Sequence, residues 1–386
     1  MSNRFDPVGS VVFRQPVETS RKYSRMPRSR TGTAARPTLS KVAEAAGVAV
    51  STASLVFSGS GPVSDATRRR VLDAADRLGY AGPDPVARSL RQGRSGIVGV
   101  VIGERLLYAF RDPVAVALLD GLTEELAPAG FGLLLLSGSS GRTGPAPEQV
   151  ERAPLDAVVV ESCGGDDAPA VSTLHHRGVP IIGVEGTRLP DVPMVSIDNH
   201  GATVELTRHL VELGHRRISV VTLPMRQPGT HRGPLDDSRR ATATSTTGID
   251  RLRGVEDALG HAVAAWEASD GLIEEGHRAG LELLAGSPHQ RPTAVVAQSD
   301  LLAVGVVHAA RELGLRIPQD LSVTGFDGID TPWLGDLRLT TVEQPMTEKG
   351  RAAGRMVVDV LAGARPDPVM LPTTLRVRSS TGPAPE

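Results

Sequence analysis

From residue 97 onward, short β-rich runs alternate with amphipathic helical stretches, and this alternation most constrains what the chain can fold into. The runs read as strands are 97–102, 132–136, 157–160, 179–184, 218–222, 262–266, 293–297 and 321–325. Helical periodicity separates them. One helix follows Asp112-Pro113, one ends at Arg177, and others lie near 200–213, 249–259, 274–285, 301–313 and 348–361. Strand–helix alternation of this kind implies parallel sheets with helices on both faces. It runs through two successive series, so the body is α/β, two similar lobes of doubly wound parallel sheet. A ligand is expected in the crevice at the carboxyl ends of the strands. The Arg/Ser/Thr/Gly/Pro-rich stretch 226–248 reads as a mobile surface loop.

Residues 37–80 follow a different rule. Thr38 caps a helix over 39–46, with Leu39, Val42, Ala43 and Ala46 on one face. Gly47 breaks it, and a second helix follows over 50–57. Gly59, Gly61 and Pro62 form a loop, and Ser64 caps a third helix ending at Gly79, with Val71, Leu72, Ala75 and Leu78 apolar. A helix-turn-helix needs a small residue where its helices cross and a glycine of positive φ in the turn four residues on. Ala43 and Gly47 meet both needs. Val48, Ala53 and Val56 would hold the second helix down. Ala49, Val50, Ser51, Thr52, Ser54 and Leu55 would then face a major groove, with Thr38 and Leu39 at its edge.

Charge agrees with that division. The chain of 386 residues has a formal net charge of −2, but the sum hides a split. Residues 1–95 carry 16 basic and 7 acidic side chains, net +9; residues 96–386 carry 26 and 37, net −11. Of the first excess, 8 basic and 2 acidic residues lie in 1–36, which read as a disordered basic arm; Met26 is an alternative start. A single cysteine, Cys163, excludes a disulfide scaffold and argues against cysteine-ligated metal. Apolar runs such as 131–136 are far shorter than the ~18 residues of a membrane span, and no signal peptide opens the chain, so the expected compartment is the cytoplasm. No Gly-x-Gly-x-x-Gly turn, phosphate loop or metal-ligand cluster suggests an enzyme, and no cofactor is expected. Ser162-Cys163-Gly-Gly165 follows a strand and could mimic a nucleophile turn, but no histidine partner is identifiable; His175-His176 reads as a solvated helix end.

Several motifs in order resemble those of the lactose-repressor (LacI/GalR) family of bacterial transcription regulators. They are Val42-Ala-Glu-Ala-Ala-Gly-Val48, Val86-Ala-Arg-Ser-Leu90, Leu213-Gly-His-Arg-Arg-Ile218, Arg251-Leu-Arg-Gly254 and Ser322-Val-Thr-Gly-Phe-Asp327. The resemblance spans roughly 37–378. It implies a helix-turn-helix head over 37–82, a hinge over 83–95, a two-lobed periplasmic-binding-protein-like body over 96–378 that binds an effector and dimerises, and a disordered tail over 379–386. In such proteins the hinge folds on DNA and a leucine wedges into the minor groove; the matching residue is Leu90, beside Ala87. Arg88, Arg91 and Arg94 are spaced to meet phosphates. This hinge has one residue more than the commonest spacing, at Gly82. Leu55 stands where many relatives carry an arginine that reads guanine, so readout should rest on Ser51, Thr52, Ser54 and apolar contacts from Val50 and Leu55. A dimer of identical heads imposes a palindromic operator.

In the body the resemblance assigns effector contacts to Arg251, Asp300, Asp327 and Glu185. Two departures weaken a sugar assignment. Asp112-Pro-Val-Ala115 lacks the family's aromatic pair, and Gly271 stands where relatives stack a ring on the ligand; Tyr108 and Phe110 could compensate. The ligand could therefore be small, acidic or unconventional, although the family favours a carbohydrate or related metabolite. The expected function is a sequence-specific DNA-binding regulator, a repressor in the first reading. The alternatives are an activator of the same family or a solute-binding protein, the latter disfavoured by the head.

Overall fold

The computed structural model describes residues 37–59, 61–82, 93–138, 144–161, 169–186, 191–226 and 231–385, apart from the side chains of 103–106 and 108. The chain divides into two compact units, one ending near Arg88 and one beginning near Ser89.

The first unit is three helices: α1 (Leu39–Ala46), α2 (Val50–Ser58) and α3 (Asp65–Leu78). Thr38 Oγ1 accepts the Lys41 amide at the start of α1, and Ser64 Oγ accepts the Thr67 amide at the start of α3. Gly47 takes φ +62°, and the axes of α1 and α2 bend by 107° across it. That angle suits a helix-turn-helix. Val42, Ala43, Ala46, Ala53, Val56, Val71, Ala74 and Ala75 form the core, sealed on one side by the edge-on contact of Phe57 with Tyr80 at 5.3 Å. The buried face of α3 is Val71, Ala74 and Ala75; Leu72 and Leu78, expected inside, are exposed. Alanine fits the narrow gap between three closely crossing helices, and larger leucines are turned outward.

The second unit begins with β1 (Ile97–Arg105), whose entry is fixed by Asp156: its carboxylate accepts the Ser95 amide at 2.7 Å and the Gly96 amide at 2.8 Å. The chain continues through α4 (Leu106–Ala109), α5 (Pro113–Leu126), β2 (Gly132–Gly138), α6 (Pro147–Arg152), β3 (Ala157–Glu161), α7 (Pro169–His176), β4 (Ile181–Val184) and β5 (Met194–Ile197). It then crosses to a second lobe of α8 (Asn199–Glu212), β6 (Ile218–Thr222), β7 (Gly233–Pro234), α9 (Asp237–Ala241), α10 (Thr246–Leu259), β8 (Ala264–Glu267), α11 (Ile273–Leu284), β9 (Ala294–Ala297), α12 (Asp300–Glu312), β10 (Ser322–Asp327) and β11 (Thr340–Glu343). It crosses back as α13 (Met346–Leu361) and β12 (Val369–Leu371), and a third time into β13 (Thr374–Arg376).

The first sheet runs β12-β5-β4-β3-β1-β2, and every pair in it is parallel. The second runs β13-β11-β10-β9-β6-β8-β7, five parallel strands between antiparallel edges. Both are doubly wound with the same reversal, between β1 and β3 in one lobe and between β6 and β9 in the other. Each sheet is covered on both faces by apolar clusters. α13 returns to the first lobe because two glycines let it touch α5: a Cβ on Gly121 would lie 2.0 Å from the Thr347 carbonyl oxygen, and one on Gly350 would lie 2.2 Å from that of Leu118.

Three readings of the sequence need correction. The short strands β5, β11, β12 and β13 lie outside the runs read as strands from the sequence. Residues 231–248 are not a loose loop. β7 pairs with β8, and Asp236 caps α9. The arginines each meet a carboxylate: Arg232 Nε donates to Glu275 at 2.7 Å, Arg239 to the fully buried Glu267 at 2.7 Å, and Arg240 to Glu256 at 2.6 Å. The end of the chain, expected as a disordered tail, is stitched to the second lobe. Ser380 is buried, accepting the Thr340 amide at 2.8 Å and donating to Val323 O at 2.6 Å, and the Ala384 amide donates to Leu213 O at 2.8 Å.

Two histidines hold that terminal segment. His215 is buried, with Nε2 3.0 Å from Gly382 O and Nδ1 2.9 Å from the Thr293 hydroxyl, and His209 Nε2 lies 3.0 Å from the Thr381 hydroxyl. Burial pulls both rings below their usual 6.5. The stability they confer is fully present above that pH. It declines as pH falls through it, because the unfolded chain takes up protons that the folded rings refuse. Replacing both by glutamine is therefore expected to flatten the acid-side fall of Tm relative to the native chain, read by thermal denaturation from about pH 8 to about pH 5. Identical slopes would refute this role.

Candidate functional site

Two surfaces carry the chemistry. On the first unit, α2 has no side-chain cap and presents its exposed flank: Ala49, Val50 at 47% exposure, Ser51 and Leu55 at 36%. Thr52 and Ser54 are half-buried, and Thr38 is exposed at the start of α1. Two expected contacts are partly engaged elsewhere. Leu39 packs on the head core, and Leu55 leans on its own loop, with Cδ2 3.3 Å from where a Cβ of Gly61 would stand. Ala87, Arg88, Leu90 and Arg91 lie outside the described residues. Arg94 is described, and its guanidinium donates to Leu361 O at 2.7 Å, on α13 of its own unit, rather than standing free for a phosphate.

The second surface is a cavity of about 170 Å³ in the body. It sits where the doubly wound rule places it, outside the carboxyl ends of the strands. Ile102, Glu161, Val184 and Glu185 come from the ends of β1, β3 and β4, while Leu223, Ser299 and Asp327 come from those of β6, β9 and β10. The segment crossing back between the lobes adds Gln344, Met346 and Lys349.

Arg251 is the centre of this site. It is buried, and burial pulls its guanidinium down from its usual value, opposed first by the Asp327 carboxylate. Its Nε donates to Asn199 Oδ1 at 2.9 Å, one terminal nitrogen donates to Gln298 O, and the same nitrogen lies 3.8 Å from Asp327 Oδ1. Its Cζ stands 3.5 Å over the Phe326 ring, a cation–π contact that also fixes the plane of the fork. Gln298 is held in turn, accepting the Leu223 amide at 3.0 Å and donating to Gly248 O at 2.9 Å.

Glu185 sits in the left-handed region, at φ +54°, just past β4. It accepts from the Ile197 amide at 3.0 Å and from Asn199 Nδ2 at 2.8 Å, and pairs with Lys349 Nζ at 2.7 Å. Asp327, also at positive φ, accepts from Gln344 Nε2 at 2.6 Å. Burial pushes its carboxyl up, and Arg251 pulls it back. Lys349 also donates to Gln344 Oε1, and burial holds its ammonium below the usual value.

Of the residues expected to meet an effector, Asp112, Glu185, Arg251 and Asp327 line the cavity. Asp112 also caps α5, accepting the Val114 amide at 2.9 Å, and burial raises its carboxyl. Phe110 does not line it and is 59% exposed. The Tyr108 side chain lies outside the described part, as do Ser162 and Cys163. His175 and His176 are exposed. Asp300 is not a wall of the cavity. It is fully buried and ties the loop after β10, accepting the Gly328 amide at 2.8 Å, the Ile329 amide at 2.9 Å and the Thr341 hydroxyl at 2.7 Å. Its place at the end of the turn after β9 suggested a ligand contact; its chemistry is that of a backbone anchor. Conversely, Asn199, Gln344 and Lys349 were not singled out by the sequence. Each stands in or beside the first turn of a helix, where polar residues are ordinary, and only the crossings between lobes bring them together. Among the described residues the cavity wall carries no aromatic ring; Gly271 lines it beside Leu223, whose Cδ2 would lie 3.2 Å from a Cβ placed there.

A helix-turn-helix unit joined to a two-lobed α/β body with a cleft at the strand ends defines a DNA-binding regulator that responds to a small molecule. Residues 38–82 match the bacterial regulatory proteins of the lacI family, and residues 207–381 match the periplasmic binding protein-like domain. An HTH-type transcriptional regulator of Mycolicibacterium smegmatis is 36% identical over 363 residues, 90% of this chain and 98% of its own. The HTH-type transcriptional repressor CytR of Escherichia coli is 29% identical over 339 residues, 84% and 90% of the two chains. The solved structure of the transcriptional regulator CelR with cellobiose superposes with a TM-score of 0.62 at 30% identity, covering 89% of this chain and 100% of the other. The chain belongs to the lacI family of bacterial transcriptional regulators.

The anchor role of Asp300 is testable. Asp300→Ala leaves a buried amide, a buried hydroxyl and a half-buried amide without an acceptor, at ~1–3 kcal/mol for each buried group left unsatisfied. Its expected effect is a loss of about 2–4 kcal/mol in denaturant unfolding of the body, whereas Phe110→Ala at an exposed position should stay within ~0.5 kcal/mol. Equal small losses in the two variants would remove the distinction.

Proposed function

We propose that this regulator is a repressor that grips a palindromic operator as a homodimer and is controlled by a small neutral, hydroxyl-bearing effector in the interlobe cavity. The observation that carries the reading is the 107° turn at Gly47, which leaves the Ala49–Leu55 flank of α2 uncovered by its own unit. An α-helix fits the major groove, and base edges are legible there. Ser51, Thr52 and Ser54 supply hydrogen bonds, and Val50 and Leu55 meet thymine methyls, with Thr38 and Leu39 at the groove edge. Ala87, Arg88, Leu90 and Arg91 supply the hinge contacts to phosphates and the minor groove.

The effector's chemistry is supported by the pairing inside the cavity. Both of its cations already face carboxylates, Lys349 with Glu185 at 2.7 Å and Arg251 with Asp327 at 3.8 Å. A ligand acid would have to break such a pair, whereas hydroxyls can both give and accept among these groups. The relative CelR is described with cellobiose, which favours a carbohydrate. The sign of regulation follows the repressor CytR; an activator would raise expression from the same operator. The chain acts where the chromosome is, and binding DNA and a ligand needs no catalysis.

Selection of randomised duplexes by the full-length protein is expected to return a two-fold symmetric site. A single asymmetric half-site would overturn the dimer reading. Leu55→Arg is expected to shift preference toward guanine at one position in each half, by about 1–3 kcal/mol, since arginine bonds guanine with two hydrogen bonds. A thermal-shift panel of neutral sugars, followed by DNA binding with each hit, tests the cavity. If no hit changes DNA affinity, the effector reading fails.

A further inference from the structure

The contacts around Arg251 close on themselves. Glu185 accepts from Asn199 at 2.8 Å, and Asn199 accepts from Arg251 at 2.9 Å. Arg251 faces Asp327 at 3.8 Å, and Asp327 accepts from Gln344 at 2.6 Å. Gln344 accepts from Lys349, and Lys349 meets Glu185 again at 2.7 Å. Two carboxylates, two cations and two amides form one ring, neutral as a whole. Its members divide between the lobes. Glu185 and Lys349 belong to the first, just past β4 and on α13, while Arg251 and Asp327 belong to the second. Asn199 and Gln344 stand at the first and second chain crossings. Only two contacts of the ring pass between lobes, Glu185 with Asn199 and Lys349 with Gln344, and each lies at a crossing.

We infer that Lys349 is a positioning residue that closes this interlobe ring, so that the first two of the three chain crossings are held by one connected set of side chains and respond together to whatever enters the cavity. Breaking one partner of a buried ion pair is costly, yet such pairs add little net stability compared with apolar packing. The ring therefore serves geometry more than stability. Glu185, Arg251, Asp327, Gln344 and Lys349 all line the cavity, so a polar ligand exchanges hydrogen bonds with both lobes at once. Opening the lobes must part a seam contact. Because each seam partner is tied onward to the other seam, neither crossing yields alone. Without Lys349 the ring would open between Gln344 and Glu185, and the second crossing would lose its side-chain contact with the first lobe.

Two amides report on the crossings. The Ile197 amide donates to Glu185 at 3.0 Å, and the Gln344 amide donates to Asp327 O at 3.2 Å. Hydrogen–deuterium exchange on the full-length protein, with neither DNA nor ligand, reads both. In Lys349→Met, peptides covering 194–199 and 340–346 are expected to exchange about tenfold faster, while the central strands of each sheet keep their protection. Lys349→Arg, which keeps the charge and the donors, should stay within about threefold of the native chain. Residue 197 is distant in sequence from 349, so a role confined to α13 would not move it. Acceleration limited to the first turn of α13, or no change at all, overturns the inference. If Lys349→Met does not fold, Glu185→Gln weakens the same contact without changing size and must give the same two-crossing pattern; a uniform rise across both lobes or an unchanged profile there overturns it equally. Neither operator nor effector enters the experiment, so its outcome is separate from that of the proposed function.

Discussion

A guanidinium buried between two lobes cannot be left to water, and the arrangement of the body follows from satisfying it. Arg251 draws a side-chain amide from the first chain crossing, a backbone carbonyl from the turn after β9, a carboxylate from the end of β10 and the face of Phe326. Each of these groups then needs partners of its own. The requirement spreads outward to Gln298, Gln344, Lys349 and Glu185, and through them to both sheets. Burying charge is expensive unless every donor and acceptor is used. The conformation of this cleft is therefore constrained by polar pairing as firmly as the lobes are by apolar packing.

The two lobes show why such pairing can sit at one place. Each doubly wound sheet reverses its strand order once, and the reversals face the same cleft. Strand ends of both lobes then deliver side chains to a common volume, whatever those side chains are. The fold supplies the location. The identities of Glu161, Glu185, Ser299 and Asp327 at the strand ends supply the chemistry.

Much of the architecture was legible because it rests on local patterns. Apolar runs of four to six residues between helices announced most of the parallel strands, and Thr38, Gly47, Ser64 and Gly79 marked the ends of the head helices where the structure places them. Local pattern fails where the partner is far along the chain. The arginines at 232, 239 and 240 look solvated until Glu275, Glu267 and Glu256 are brought beside them. In the site, Arg251, Asp327, Glu185 and Asp112 were singled out by the positions they hold in the motifs the chain shares with the family, and the structure brings all four to the cavity. Asp300 was misread because an acid after a strand looks the same whether it faces a ligand or a loop's amides. Lys349 was invisible because a lysine in a helix's first turn carries no sign of which lobe that helix will rejoin.

The last segment of the chain has a consequence for how the protein is made. β12 completes the edge of the first sheet, β13 completes the edge of the second, and the residues beyond it supply a buried hydroxyl to β10. Neither lobe is continuous in sequence, and both wait for β12 and β13, at 369–376, to leave the ribosome. The head, continuous and near the start, has everything it needs long before. On each polysome, then, there is an interval in which a finished helical unit precedes a body whose two sheets both still have an open edge.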